Sequence, residues 1–327
     1  MKSIIEIKDL KKSFQVKDKK HKKTIEAVSG VSLTVNEGEI FGFLGPNGAG
    51  KTTTLRMLTT LLPIDEGTVK IAGLDVKKDA KKVRNIIGYV SQIGGGDVEA
   101  TGIENLILEG RLYGMSNEEA KKSAEDVLEL FSLKEIQNRI VRTYSGGQKR
   151  RLEIALGMMH KPKVLFLDEP TTGLDPQNRA NMWDYIRKLN NLGTTVFITT
   201  HYLEEADELC KRIAIIDNGK IVALASPKEL KKQISGDVIT IKTKNDRNEI
   251  NNTKEIIAKE PYVREVSIDD DKLQIYVNDG TKDLPKVFLL LEEKHIEIDT
   301  VQLREPSLDD VFLKKTGRKL REEEEGQ

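Results

Sequence analysis

Glu39-Ile40-Phe41-Gly42-Phe43-Leu44-Gly45-Pro46-Asn47-Gly48-Ala49-Gly50-Lys51-Thr52-Thr53 runs from a short apolar segment into a glycine-rich turn. Ile40 to Leu44 has the length and continuous apolarity of a strand buried on both faces, and Thr52 to Leu58 opens a helical pattern. Between them, Gly45, Pro46, Asn47, Gly48, Ala49, Gly50, Lys51 and Thr52 fit G-x-x-x-x-G-K-[ST], with Thr53 next in line. In that loop backbone N–H groups cradle phosphates, the lysine reaches the β/γ oxygens and the hydroxyl holds Mg²⁺. Strand, loop and helix follow in the order the motif requires, and the helix N-terminus adds its partial positive charge to Lys51. The expected fold is therefore α/β, built around a phosphate loop.

Downstream, Lys163 to Leu167 is a second apolar strand, ending in Asp168-Glu169. Both acids thus emerge at the carboxyl end of a parallel strand, where open α/β sheets bind ligands. Asp168 is assigned to Mg²⁺ and Glu169 to orienting and deprotonating the attacking water. An Asp-Glu pair at a strand end is otherwise a solvated turn; the phosphate loop upstream decides against that reading. Two more apolar runs, Ile86 to Ser91 and Thr194 to Thr200, end at Gln92 and His201.

Tyr144-Ser145-Gly146-Gly147-Gln148, followed by Lys149 to Leu156, looks like the signature that separates ABC ATPases from other phosphate-loop classes. On these motifs the chain resembles ABC transporter ATPase subunits. Leu303-Arg304-Glu305-Pro306-Ser307-Leu308-Asp309-Asp310-Val311-Phe312 and Thr101-Gly102-Ile103-Glu104-Asn105-Leu106 narrow the resemblance to the daunorubicin-resistance-type branch, which pairs with ABC-2-type permeases and mostly exports. The resemblance implies a homodimer in which two copies sandwich two ATP molecules. Ser145, Gly146, Gly147 and Gln148 of one copy then face the γ-phosphate held by the other, as a twofold-related pair of shared sites requires. It further implies that Gln92 senses Mg²⁺ and water and links to the permease, that Asp175 lies in the loop crossing the dimer interface, that His201 contacts the γ-phosphate, and that Phe14 stacks on adenine. Thr52, Gln92 and Asp168 form the implied Mg²⁺ set. Two positions depart from the commonest pattern, Tyr144 for leucine and Phe14 for tyrosine, and neither removes a phosphate ligand.

The 327 residues carry 53 Lys and Arg against 53 Asp and Glu, a balance that argues against a dedicated nucleic-acid binder. One cysteine, Cys210, excludes an internal disulfide and any cysteine-based metal cluster. No apolar run approaches the ~18 residues of a membrane span, and Met1 to Asp9 lacks a signal-peptide core. The expectation is a peripheral subunit at the cytoplasmic face of the membrane, soluble when expressed alone, with any pore on another chain.

Every ATPase motif precedes about residue 230, and Ser116-Asn117-Glu118-Glu119 opens a helical subdomain between Gln92 and Ser145. After Ser235-Gly236 the pattern reads strand (238–241), helix (250–257), strand (263–268), strand (273–277), helix (284–291), strand (296–303), the order of a ferredoxin-like α+β domain. The expected division is 1–233 for the ATPase domain, 234–304 for the accessory domain, and 305–327 for a helix and acidic tail including Glu322 to Glu325. Lys11, Lys12, Lys17, Lys19, Lys20, Lys22 and Lys23 form a basic cluster, read as a solvated hairpin loop in preference to a lipid contact. The alternative function, a soluble ABC ATPase acting on ribosomes or DNA, is disfavoured by the single motif set and single cysteine. A GTP-binding switch is disfavoured by the lack of an Asn-Lys-x-Asp tetrad.

Overall fold

The computed structural model describes residues 2–18, 21–234, 236–243, 247–269 and 271–318. The basic cluster falls partly outside them, at Lys19, Lys20 and the side chains of Lys17 and Lys22, and Glu322 to Glu325 wholly so. Lys11 and Lys12 turn to acids of the chain itself, Glu66 at 2.8 Å and Asp65 at 2.6 Å. The chain forms two compact units, one through Pro227 and a second from Lys228.

The first unit centres on a six-stranded sheet in the order Lys220–Ala225, Arg212–Asp217, Ile40–Leu44, Thr195–Thr200, Val164–Asp168, Ile87–Val90. All neighbours are parallel except the first pair, an antiparallel hairpin. Its Asn218-Gly219 turn has φ of 47° and 75°, the positive pair that a two-residue hairpin of this twist demands. Ile40–Leu44, Val164–Asp168 and Thr195–Thr200 are buried at every residue, which is why they read as unbroken apolar runs rather than alternating ones. Phe197 packs against Phe41, Phe43 and Phe166 with ring centroids 5.4, 5.7 and 5.6 Å apart, joining three neighbouring strands.

An antiparallel sheet, in the order His21–Asn36, Ser3–Asp18, Glu66–Ile71, Leu74–Asp75, shares its core with the helix Lys51–Leu58 through Leu55, Met57 and Leu58. The helical part contributes Gly102–Leu112 and Asn117–Leu130, each opened by a complete capping box, Thr101 with Glu104 and Ser116 with Glu119. The helix Gly146–Met158 lies directly on the strand Ile87–Val90: a Cβ on Gly88 would stand 2.2 Å from the Gly157 carbonyl oxygen.

In the second unit four antiparallel strands run in the order Val263–Asp269, Lys272–Val277, Asp237–Thr243, Ile298–Arg304, the ferredoxin-like order. Helices Arg247–Ile257 and Gly280–Glu293 cover one face, burying Ile250, Ile257, Val287 and Leu291 against Ile239, Ile241 and Ile275. The second helix begins four residues before its expected start at Leu284. Asp279 accepts a hydrogen bond from Lys282 N, and Pro285 lies within the helix instead of bounding it. A last helix, Leu308–Thr316, is fixed by Asp310, whose buried carboxylate accepts from both Arg304 guanidinium nitrogens (2.6 and 2.9 Å), from Tyr276 and from Ser307.

Candidate nucleotide site

The glycines of the loop are there for backbone reasons. Gly50, at φ 102°, is the left-handed entry to the helix Lys51–Leu58, and a Cβ on it would stand 2.4 Å from the Ala27 carbonyl oxygen. The loop is held from behind by Gly45 N donating to Thr200 O and by Gly219 N donating to Ala49 O, while Asn47 and Gly48 face solvent.

Lys51 is buried and donates to the carbonyls of Gly45 (2.7 Å) and Pro46 (3.0 Å), and its Nζ lies 3.2 Å from Glu169 Oε1. Thr52 donates to Asp168 Oδ1 at 3.2 Å. The second Glu169 oxygen, Oε2, accepts from Gln92 (3.1 Å) and Thr172 (3.3 Å) and lies 3.1 Å from His201 Nδ1. Six of the residues expected at the site, two of them the adjacent carboxylates, are therefore gathered together, although they come from three separate strand ends and the phosphate loop.

The two carboxylates differ in kind. Burial raises the Asp168 carboxyl above its usual range, against hydrogen bonds from Thr199 and Thr52. Burial also acts to raise Glu169, but the His201 hydrogen bond and the Lys51 charge outweigh it and bring Glu169 down to about 2. Glu169 further sits at φ 47°, a left-handed conformation rare for a side chain of its size, with its N–H bonded to Thr199. A hydroxyl beside a buried carboxylate is a hard oxygen pair of the type Mg²⁺ takes, so Thr52 and Asp168 fit that ion.

Ser145 and Asp175 stand apart from this cluster in their bonding. Ser145 is exposed and forms a capping box with Gln148; Asp175, also exposed, accepts from Asn178 N at 2.9 Å and caps its own helix Pro176–Asn191. The two helix starts touch, since a Cβ on Gly147 would stand 2.8 Å from Asn178 Oδ1. Phe14 is 38% exposed, paired in register with Ile25 and lying under the Lys12 ammonium at 5.6 Å. The Tyr144 departure is absorbed locally, its hydroxyl donating to Ile136 O at 2.7 Å.

Arg150 was not visible as a site residue, because it lies in a Lys-Arg-Arg run that reads as a solvated helix face. It is buried. Its guanidinium donates to the carbonyls of Ser91 (2.8 Å), Asp168 (3.1 Å), Glu169 (3.3 Å) and Pro170 (2.7 Å), and pairs with Glu153 at 2.7 Å. A single planar fork thus fixes the backbone of both carboxylates. Thr199 was missed too; its hydroxyl donates to Asp168 Oδ1 at 2.5 Å, and the available signal was a polar pair, Thr199-Thr200, ending an otherwise apolar strand.

Arg150→Lys keeps the charge but not the fork. Losing two carbonyl bonds to a cation costs about 3 kcal/mol, so thermal unfolding followed by circular dichroism is expected to fall by roughly 6–12 °C. An unchanged midpoint counts against the clasp.

A family model described as ABC transporter matches residues 28–172, and a second, the C-terminal domain of DrrA1-3-like ATP-binding proteins, matches residues 226–316. The daunorubicin resistance ATP-binding protein DrrA2 of Streptomyces coeruleorubidus is 42% identical over 297 residues, covering 90% of this chain and 91% of that protein. The chain belongs to the ABC transporter family. Other ABC relatives include the linearmycin resistance ATP-binding protein LnrL of Bacillus subtilis, 39% identical over 92% of this chain and 96% of its own length. The Nod factor export ATP-binding protein I of Sinorhizobium fredii is 38% identical over 90% and 83%. Among solved ABC structures, a dimeric post-hydrolysis state of the cassette MJ0796 bound to ADP and Pi superposes with a TM-score of 0.61 at 28% identity, over 68% of this chain and 98% of that one. The ABC subunit described here is an ATPase of an exporter, and no helix among its described residues is long and apolar enough to cross a membrane.

Proposed function

We propose that two copies of this chain close around two ATP·Mg²⁺ complexes and drive an ABC-2-type permease at the cytoplasmic face of the membrane. The observation that carries the reading is the division of the motifs into two sets. Lys51, Thr52, Gln92, Asp168, Glu169 and His201 bond to one another, while Ser145 and Asp175 sit on two touching, exposed helix starts. A second copy related by a twofold axis presents that exposed pair to the first copy's phosphate loop. Phe14 offers a ring face to adenine.

In each site Lys51 and the loop N–H groups take the β/γ oxygens, and Thr52, Asp168 and Gln92 hold the ion, which when bound spreads the phosphate charge. Glu169 takes the proton of the attacking water. A carboxylate at about 2 is a weak base. The groups that hold it there, the Lys51 ammonium and the His201 ring, are the ones directed at the γ-phosphate, so ATP competes them away and returns basicity to Glu169 when it is needed.

Residues 1–233 carry this chemistry, 234–304 an accessory role, and 305–327 a terminal helix and tail. Relatives named for daunorubicin and linearmycin resistance and for Nod factor export favour the exporter over a ribosome or DNA function, and they leave cargo choice to the permease.

Co-expression with an ABC-2-type permease is the direct test. Alone, the protein is expected in the supernatant; with the permease, in the membrane pellet. Among the described residues Ile93, 91% exposed next to Gln92, is the large apolar side chain most open to a partner, and Ile93→Glu is expected to return the protein to the supernatant. Sedimentation with ribosomes in place of membranes overturns the reading.

A further inference from the structure

Behind the site lies an acid that no step above uses. Glu205, in the short helix Leu203–Leu209, has no exposed surface. Its Oε1 accepts from the Thr171 hydroxyl at 2.8 Å and from the Trp183 indole N–H at 3.2 Å. Among the described residues no lysine or arginine pairs with it. A carboxyl taken out of water without a cation is costly, and an apolar side chain of similar volume often serves a core better. Burial accordingly raises its pKa.

The two donors and Glu205 itself belong to three different parts of the site. Thr171 lies two residues beyond Glu169, and its carbonyl accepts from Leu174 N in the turn that leads to Asp175. Trp183 is on the helix that Asp175 caps. Glu205 is on the helix Leu203–Leu209, which starts two residues after His201, and the strand end before His201 supports the phosphate loop, the Thr200 carbonyl accepting the N–H of Gly45. A single carboxyl, on the helix that directly follows His201, is therefore bonded to the segment carrying Glu169 and to the helix of the expected interface loop.

We propose that Glu205 is a positioning residue for ATP hydrolysis, locking the Glu169–Asp175 segment to His201 so that base and histidine address the same γ-phosphate. This rests on the assignment of Glu169 and His201 given above. Glu205 has no surface open to a nucleotide, so its removal leaves ATP binding in place and misaligns the groups that act on the bound molecule.

The test compares the full chain with Glu205→Leu, Glu205→Gln and Thr171→Val, measuring steady-state ATPase and, separately, the equilibrium affinity for a fluorescent ATP analogue. Leucine fills the volume with no acceptor; displacement of catalytic groups by about 1 Å costs on the order of 100-fold, so kcat is expected to fall roughly 30- to 100-fold. Analogue affinity is expected to stay within about threefold, because the phosphate-binding groups are unchanged. Glutamine keeps an acceptor oxygen for Thr171 and Trp183 and is expected to restore kcat to within about fivefold of wild type. Thr171→Val removes one donor, with an expected loss of about tenfold in kcat alone, and decides the matter if Glu205→Leu does not fold.

A folded Glu205→Leu, or in its absence Thr171→Val, with kcat within twofold of wild type overturns the proposal. So does a parallel loss of affinity and kcat, which marks a merely structural role. Glu169→Gln run alongside separates the two levels: if it turns over like wild type, the assignment of the base has failed, whereas if it is inactive and Glu205→Leu is fully active, only the positioning role has.

Discussion

Glu169→Gln is expected to bind ATP at least as tightly as the wild type and to hydrolyse it about 10²–10⁴-fold more slowly, the range lost with a general base. The amide retains the shape of the side chain and one acceptor oxygen, so the contacts with Gln92, Thr172 and His201 can reorganise around it. What disappears is the charge that holds Lys51 at 3.2 Å and the capacity to accept a proton. Lys51 is then released to the phosphates without competition, and closure persists because the nucleotide is never consumed. The variant is expected to run as a dimer in gel filtration with saturating ATP and Mg²⁺, and as a monomer without nucleotide. Turnover within a few-fold of wild type, or a monomer at saturating ATP and Mg²⁺, contradicts the assignment.

The second large effect concerns sites shared between chains. Lys51→Ala removes the ammonium from the β/γ oxygens, and Ser145→Arg places bulk and charge on the exposed helix start, so each variant alone is expected to be inactive. Mixed dimers behave differently. One of their sites collects both lesions, while the other combines an intact Lys51 with an intact Ser145 from the opposite chain. With random pairing mixed dimers make up about half the pool and each has one sound site of two, so site-limited hydrolysis is expected to recover to about a quarter of wild type. The measurement is steady-state ATPase after co-expression, with isolated mixed dimers checked for trapped nucleotide. If neither turnover nor closure reappears in verified mixed dimers, both motifs act within one chain.

The legible parts of this molecule are those whose chemistry is contiguous. A phosphate loop must be a loop, so Gly45 to Thr52 spell it out, and strands buried on both faces announce themselves as apolar runs, as Val164–Asp168 does. The cluster around Asp168 and Glu169 was readable because Gln92, the two acids and His201 each follow such a run and Lys51 and Thr52 belong to the loop. Arg150 was not, because its role depends on which face of the helix Gly146–Met158 meets the sheet, and a basic run carries no mark of burial. Glu205 was hidden for the same reason, as one acid among Glu204, Asp207 and Glu208. The order of the strands and the antiparallel sheet from Ser3–Asp18 to Leu74–Asp75 are set by pairing between segments far apart in sequence, which local pattern does not encode.

The contact of Gly157 with Gly88 has a mechanical meaning. The helix that begins at Ser145 is pinned near its C-terminal end to the strand Ile87–Val90 by this backbone contact, and in its first half by Arg150 on the carbonyl of Ser91, the residue after that strand. The pins are seven residues apart, roughly 10 Å along the helix axis. A bar held at two points has no pivot, so torque at its Ser145 end is not dissipated as tilting against the strand but passes along it toward Gln92. Stiffness, in this molecule, is obtained by omitting one side chain: the missing Cβ of Gly88 lets the Gly157 carbonyl seat on the strand backbone, where a methyl group would pry the bar from its bed and introduce play into the linkage.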